Sequence, residues 1–552
     1  MRFLKKLLIA SFVIFYSGNA NAQLNGSFET NASLYIDDDK IKLDEIDAKN
    51  RLRSNNYLRL DYKIKKFTAG TQIEGYESKA LLNYSPKLNG VNIATYYLNY
   101  KNDSIGLDIT VGHFYEQFGS GLVLRSWEDR QLGIANSIAG GRVKYTPLKS
   151  INITALYGKL RDGLGFEFTD GKIFGINSDI DLSQILKAKK VKFGVGLSYV
   201  NRNEKTGFNG FSDNTYLTST RINFSYKGFS ADAEYAFKSK DALVEFGNIR
   251  PTLPFDGDAY LFNIGYTKKG FGANASIRRL ENFALYSQRN LTGNIYNRAI
   301  VNYVPALTKQ YDYSLTNIYV YAAQPNIVFE PNRNKAGEVG GQFDLFYQFK
   351  KATPLGGKFG TNISINFSQW HGLAGKYIAA ERKYKADLIG AGEKYYRETG
   401  LEIRKKWSTK WTSVFTYLNQ FYNARYVEEA VGKVNANTVV IENTVRLKKT
   451  KSVKFQLQHQ WANALFKNWA AAQAEYNFNS SWSIFVLDLY NYGNSNTTDQ
   501  IHFYNTGLGY KKAAARFQLS YGRQRGGLIC VGGVCRFVPQ SAGLNFSTTY
   551  SF

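Results

Sequence analysis

The sequence predicts an all-β chain folded as one large antiparallel transmembrane β-barrel. Three observations carry that prediction. Apolar and polar residues alternate with period two along most of the chain, as in strands with one apolar and one polar face. The stretch Gly543 to Phe552 repeats the pattern: Leu544, Phe546, Thr548, Tyr550 and Phe552 share one side, and the sequence ends on an aromatic ring. Mean hydropathy is only −0.35, yet the chain holds 40 Tyr, 38 Phe and 7 Trp. A barrel reconciles the two, because its inner face is polar and aromatic rings gather at both membrane boundaries.

Taken in order, the chain opens with a secretory leader, residues 1–22. Arg2, Lys5 and Lys6 precede the apolar run Leu7 to Phe15. Ala20-Asn21-Ala22 is a cleavage site of the A-x-A kind, making Gln23 the first mature residue. The apolar run is too short to span a bilayer, and no longer one follows. No Cys follows the cleavage site, which excludes a lipoprotein anchor. Removing the three basic residues of the leader takes the net charge from +26 to +23. For an exported barrel the expected anionic partners are not nucleic acid. They are outer-membrane lipid, lipopolysaccharide included, and anionic solutes in the lumen, so a conducting form is expected to prefer anions. The expected location is the outer membrane of a Gram-negative bacterium.

From Gln23 to Phe552 one barrel domain is expected. Alternation begins at Ser27 to Tyr35, leaving no room for the plug domain of a TonB-dependent transporter, so that class is disfavoured. Short turns are expected at Lys65-Lys66, Lys101-Asn102-Asp103, Pro147-Leu148-Lys149, Leu186-Lys187-Ala188, Lys227-Gly228 and Lys268-Lys269-Gly270. They continue at Lys350-Lys351, Trp407-Ser408-Thr409, Lys448-Lys449-Thr450, Ser480-Ser481 and Lys511-Lys512. Eleven such turns, with both termini periplasmic and an even count, imply about 24 strands, range 20–26. The alternation is clearest where Leu58, Leu60, Tyr62 and Ile64 oppose Arg59, Asp61 and Lys63, and where Phe517, Leu519 and Tyr521 oppose Arg516, Gln518 and Ser520. Charges on the polar face belong in the lumen, since Lys or Arg facing mid-bilayer lipid costs about 2–4 kcal/mol. The last strand closes the barrel. Tyr550 and Phe552 form its terminal signal for the β-barrel assembly machinery, the partner expected during biogenesis.

The segment Gly112 to Arg142 breaks the alternation. It concentrates Glu116, Arg125, Glu128, Asp129, Arg130 and Arg142 among several glycines. Glycine permits backbone geometry closed to other residues, and carboxylates and guanidinium forks pair readily. The segment is expected inside the barrel, as an ion-paired latch or as a constriction that sorts solutes. Catalysis by its carboxylates lacks an accompanying nucleophile or metal ligand. The run FYEQFGSGLVLRSWEDRQLG, with Gly140-Gly141-Arg142 and Tyr145 after it, resembles an uncharacterised family of Bacteroidetes outer-membrane β-barrel proteins. The resemblance implies the fold and the location, and no catalytic residue.

The connection from about Asn282 to Gly337 is rich in Tyr and contains Pro305, Pro325 and Pro331. A disordered loop would be poorer in aromatics. It is expected to pack over or into the barrel mouth, as a cap or a ligand platform, with Ile318 to Ala322 open to a strand reading. The acidic run Asp37-Asp38-Asp39, with Asp44, Glu45 and Asp47, reads as a solvated loop, since its spacing is not that of a calcium loop. Cys530 and Cys535, the 2 Cys of the chain, are expected to form a disulfide bracing the outward loop before the last strand. The 4 His are scattered, so no metal site is expected, and no cofactor either.

A barrel of this size would leak if empty, so the two irregular segments are expected to occlude it. The expected function is passage of a solute or polymer through a partly plugged channel. The alternative is a non-transporting barrel subunit of an outer-membrane secretion, anchoring or assembly complex, with protein partners. An enzyme is not expected.

Overall fold

The computed structural model describes residues 22–43, 50–81, 85, 87–205, 207, 210–245, 248–249, 253–292, 294, 297–326, 337–378, 380 and 383–552. The leader before Ala22, with Asp44, Glu45, Asp47, Tyr296 and Pro331, lies outside them.

Alternating side chains make each segment a strand with two unlike faces, and pairing neighbours in sequence builds one 24-stranded antiparallel sheet. The sheet closes on itself. Strand Ala22–Tyr35 pairs with strand Leu52–Ile64 on one side and with strand Ser541–Ser551 on the other, in a register running from Ser27↔Ser551 to Tyr35↔Gly543. Gly26 and Phe552 add two backbone hydrogen bonds, 2.8 and 2.9 Å, at the seam. Closure removes the unpaired edges that hydrocarbon would not satisfy. No helix among the described residues is long and apolar enough to cross a membrane.

All eleven expected turns join adjacent strands, and they share one end of the barrel with Ala22 and Phe552. The connections at the opposite end, here called the outer end, are longer. On the outer face of strand Asn214–Tyr226, the rings of Tyr216 and Tyr226 bracket Ile222 and Phe224. Tyr216 belongs to an aromatic row with Phe174, Tyr199 and Phe237. A second row near the turns includes Tyr266 with Phe271, Trp407 with Trp411 and Trp482 with Tyr510. Tyr216 and Tyr226 are ten positions apart, about 34 Å along a strand and about 25 Å along a barrel axis at the usual tilt. That height matches a hydrocarbon core. Exposed aliphatics such as Leu197, Ile264 and Ile277 fill the band between the rows.

The inner face departs from expectation. A purely polar lumen was predicted, but Leu156, Leu160, Ile173, Val200, Leu217, Ala236, Ala259 and Leu280 line part of it and are buried. They are apolar because chain packs against them from within. Ile318 to Ala322 is also corrected: it is no strand. A 3₁₀ turn at Leu315–Asn317 leads into irregular backbone pressed on the inner wall. The loop holding Cys530 and Cys535 starts at the outer end but does not project. It is a hairpin, Gly527–Val531 against Val534–Val538, folded back onto the chain around 303–321.

Candidate functional site: the occupied lumen

Three segments fill the barrel. The first, residues 115–137, leaves strand Leu107–Phe114 and returns at strand Ile138–Leu148 through two short ladders, Gln117–Phe118 with Leu124–Arg125 and Glu128–Asp129 with Ile134–Ala135. Phe118, Leu122, Val123 and Leu124 are fully buried against the apolar inner wall. This is a small hydrophobic core inside a barrel, and it locates the segment more firmly than its charges do.

The charges lie around that core. Glu116 accepts from Arg142 at 3.2 Å and from Lys144 at 2.7 Å, and Arg142 also reaches Asp108 at 3.4 Å. Arg130 bonds Glu29 on the wall at 2.6 Å and Glu128 at 3.1 Å. Gln72 donates to Glu128 at 2.9 Å, and the Arg130 guanidinium lies 4.3 Å over the Tyr57 ring. Two of the six sequence candidates act differently. Asp129 caps a turn by accepting from the Leu132 N–H at 3.0 Å. Arg125 stacks 3.8 Å over Tyr303. The six therefore do not form one cluster.

The second segment, residues 282–326, crosses the barrel and touches both halves of the wall. At one side Arg289 enters a dry four-charge group. Its guanidinium bonds Glu204 at 2.9 Å and Asp241 at 2.7 Å, while Arg202 bonds the same two acids at 3.0 Å each. The two arginines and two acids pair with each other, with the buried Lys238 ammonium also acting on Asp241, and this mutual pairing is what makes their burial tolerable. Burial raises the Glu204 carboxyl above its ordinary value, against the pull of Arg202 and Arg289. At the other side Tyr321 stacks on Trp370 and Tyr396 at 5.7 and 5.4 Å and donates to Glu338 at 2.7 Å. Glu338 is paired with buried Arg278 at 2.7 Å. Gln458 accepts from the Leu315 N–H and Gln460 donates to the Leu315 carbonyl, both at 2.9 Å, so the wall holds that peptide from both sides. A Cβ at Gly171 would overlap the Ser287 carbonyl oxygen, so the approach of this segment to the wall depends on a glycine there.

The third segment is the hairpin of Cys530 and Cys535, which are joined by a disulfide. Gly532 and Gly533, at φ 58° and 79°, make the left-handed turn between its strands. Its tip docks on the second segment: Ala306 donates its N–H to the Gly533 carbonyl at 2.7 Å, and the Tyr303 hydroxyl donates to the Gly532 carbonyl at 2.5 Å. The first and second segments meet as well. Arg125 N–H donates to the Val301 carbonyl and Tyr303 N–H to the Gly121 carbonyl, each at 2.9 Å. The three form one interlocked plug.

Sequence reading missed the anchors Glu74, Arg161, Arg202, Glu204, Asp241, Arg278, Arg289 and Glu338. Arg161 and Glu74, with side chains 2 and 0 % exposed, face each other from distant strands. Their only signal was charge on a strand face or at a strand end, shared with many solvated positions. The expected Asp37-Asp38-Asp39 run is also engaged: Asp38 bonds Arg523 at 2.7 Å, and Asp37 pairs with Arg51.

A family model matches residues 2–552. The chain belongs to that family, a family of unknown function (DUF6029). A search of curated proteins finds no match. Among solved structures the chain is similar to the P pilus usher (PapC) translocation pore, at 9% identity and a TM-score of 0.39, covering 96% of this chain and 99% of that one. It is similar to the siderophore receptor PirA from Pseudomonas aeruginosa at 8% identity and a TM-score of 0.41, covering 97% and 81% of the two chains. A BenF-like porin from Pseudomonas fluorescens Pf-5 gives 10% identity and a TM-score of 0.34 over 81% and 99%. The barrel itself rests on this chain's own strand register.

Proposed function

We propose that this DUF6029 chain is an integral protein of the bacterial outer membrane, exported with cleavage after Ala22, and that it is a channel or transport barrel closed by its own plug. The observation that carries the reading is a closed barrel, apolar outside between two aromatic rows, whose lumen is filled by three segments of the same chain. A barrel serving only as a membrane anchor has no need of a wide lumen that must then be filled. The wall near the turns stays polar and holds a cavity of about 380 Å³ lined by Arg59, Asp61, Asn99 and Asp108 among others. Partners on this reading are outer-membrane lipid, lipopolysaccharide included, and the β-barrel assembly machinery, which recognises Tyr550 and Phe552. The resemblance of the 114–133 run supports a Bacteroidetes source. A non-enzymatic role is supported by the carboxylates of Glu116, Glu128 and Asp129, each already held by an arginine, a lysine or a backbone N–H.

Reconstitution of the purified protein in planar bilayers tests the reading. Discrete conductance that rises when Gly119 to Gly133 is replaced by a short Gly-Ser turn supports a plugged channel. A folded barrel that never conducts, with or without that segment, removes it. The alternative, a non-transporting subunit of a secretion, anchoring or assembly complex, draws support from the apolar core around Phe118 and the aromatic packing of Tyr321 on Trp370 and Tyr396 inside the lumen. Stoichiometric co-purification with a protein partner from native membrane would favour it.

A further inference from the structure

Two cavities meet at one ion pair. The lower, about 380 Å³, reaches from Arg59, Asp61 and Asp108 up to Glu128. The upper, about 370 Å³, runs from Glu29 and Arg130 along Asn31 and Asn545 to Tyr35 and Gln524 near the outer end. Glu128 lines the first, Arg130 lines the second, and 3.1 Å separates their bonded atoms. A third space of about 30 Å³, enough for a water molecule, touches both residues and Tyr57. The partition between the cavities is therefore Arg130 with its partners Glu29, Glu128 and Gln72.

This partition differs physically from the other ion pairs of the plug. Arg289 of the second segment with Glu204 and Asp241 on the wall is dry, at 6 % exposure or less, and so are the wall pairs Arg161–Glu74 and Arg278–Glu338. Removing a partner from such a pair strands a buried charge. Side chains of Arg130, Glu29 and Glu128 are 22, 24 and 18 % exposed. Water reaches them, so opening the pair costs far less than breaking a dry one. The dry Arg289 group holds the second segment to the wall, so the wet pair can swing aside without unseating the plug.

We propose that this wall-side passage, along strands Ala22–Tyr35 and Leu52–Ile64, is the permeation route for small hydrophilic solutes, that Arg130 is its gate, and that the gate selects cations. The proposal rests on the channel reading above. The sign follows from the partition, where two carboxylates face one guanidinium. Elsewhere on the route Arg59, Arg142 and Arg525 face Asp61 and Asp108, while Glu116 is shared between Arg142 and Lys144, so one positive charge remains there, away from the partition. The excess positive charge of the chain sits largely in Lys-rich turns such as Lys65-Lys66 and Lys448-Lys449. Charge at the narrowest point sets ion preference, rather than the sum over the molecule, so the anion preference expected from net charge is replaced by its opposite.

The test uses the full-length oxidised protein in planar bilayers with a KCl gradient. Arg130→Ala should raise single-channel conductance about twofold or more and move the reversal potential further toward that of K⁺. Arg130→Lys should keep the wild-type reversal potential. Glu29→Gln with Glu128→Gln should move it toward Cl⁻, and this double variant carries the test if Arg130→Ala does not assemble. Wild-type preference for Cl⁻ overturns the selectivity. Unchanged conductance in Arg130→Ala, with raised conductance when Gly119 to Gly133 is replaced, places the route elsewhere and leaves the channel reading intact. Absence of conductance in every variant, that replacement included, ends the channel reading and the passage together.

Discussion

Arg289 shows how a single side chain holds a plug in place. It shares Glu204 and Asp241 with Arg202, and all four groups are nearly water-free. Truncating one member leaves an unbalanced buried charge, so Arg289→Ala is expected to cost about 3–5 kcal/mol of stability. Thermal unfolding in detergent checks this, and Arg289→Ala with Glu204→Gln should cost less than the two single changes added, because the stranded carboxylate is gone. The disulfide works at the same scale. Mass spectrometry of the unreduced protein should find Cys530 and Cys535 in one linked peptide. Two thiols alkylated without reduction would contradict it.

At the scale of the element, the two faces of one strand make a sharp comparison. In strand Asn214–Tyr226, Ile222 points outward between the aromatic rows and is 47 % exposed, while its neighbour Asn223 points into the lumen. Ile222→Arg should destabilise the barrel by about 2–4 kcal/mol in lipid, because mid-bilayer hydrocarbon cannot solvate the charge. Asn223→Arg should leave stability nearly unchanged, since Asn223 meets water and Asp232 lies opposite it in the register. Urea unfolding from lipid vesicles distinguishes the two. Equal costs would mean that the outward face does not meet hydrocarbon.

The whole molecule is a barrel folded around its own loops. The segments 115–137, 282–326 and 527–538 contact each other as well as the wall, so displacing one should loosen the rest. Gly171→Val tests this at a distance from the charges. A side chain there collides with the Ser287 carbonyl and pushes the second segment off the wall. Limited proteolysis should then cut within 282–326, and the hairpin of Cys530 should become accessible too, while the barrel strands stay intact. Cleavage confined to the immediate neighbourhood of Ser287 would show that the segments dock independently.

Strand periodicity, the turns and the closing strand were legible in the sequence because each is a local property. Side chains alternate at every residue of a strand, and a tight turn needs only its own few residues. A break within Gly112 to Arg142 was legible for the same reason, although 112–114 and 138–142 are barrel strand and only 115–137 leaves the wall, and so were the aromatics of 282–337. Tertiary structure alone decided what these segments touch. Phe118 and Val200 belong to one core only because closure brings strands far apart in sequence around a common interior. Arg161 meets Glu74, and Arg289 meets Asp241, across the same interior. The hairpin of Cys530 read as an outward loop because nothing in its own residues records Tyr303 and Ala306 waiting beneath it. Sequence by itself determined the wall, since a strand's two faces are fixed by neighbours along the chain. The plug was decided only in three dimensions, since buried ion pairs and cores depend on partners that local pattern cannot name.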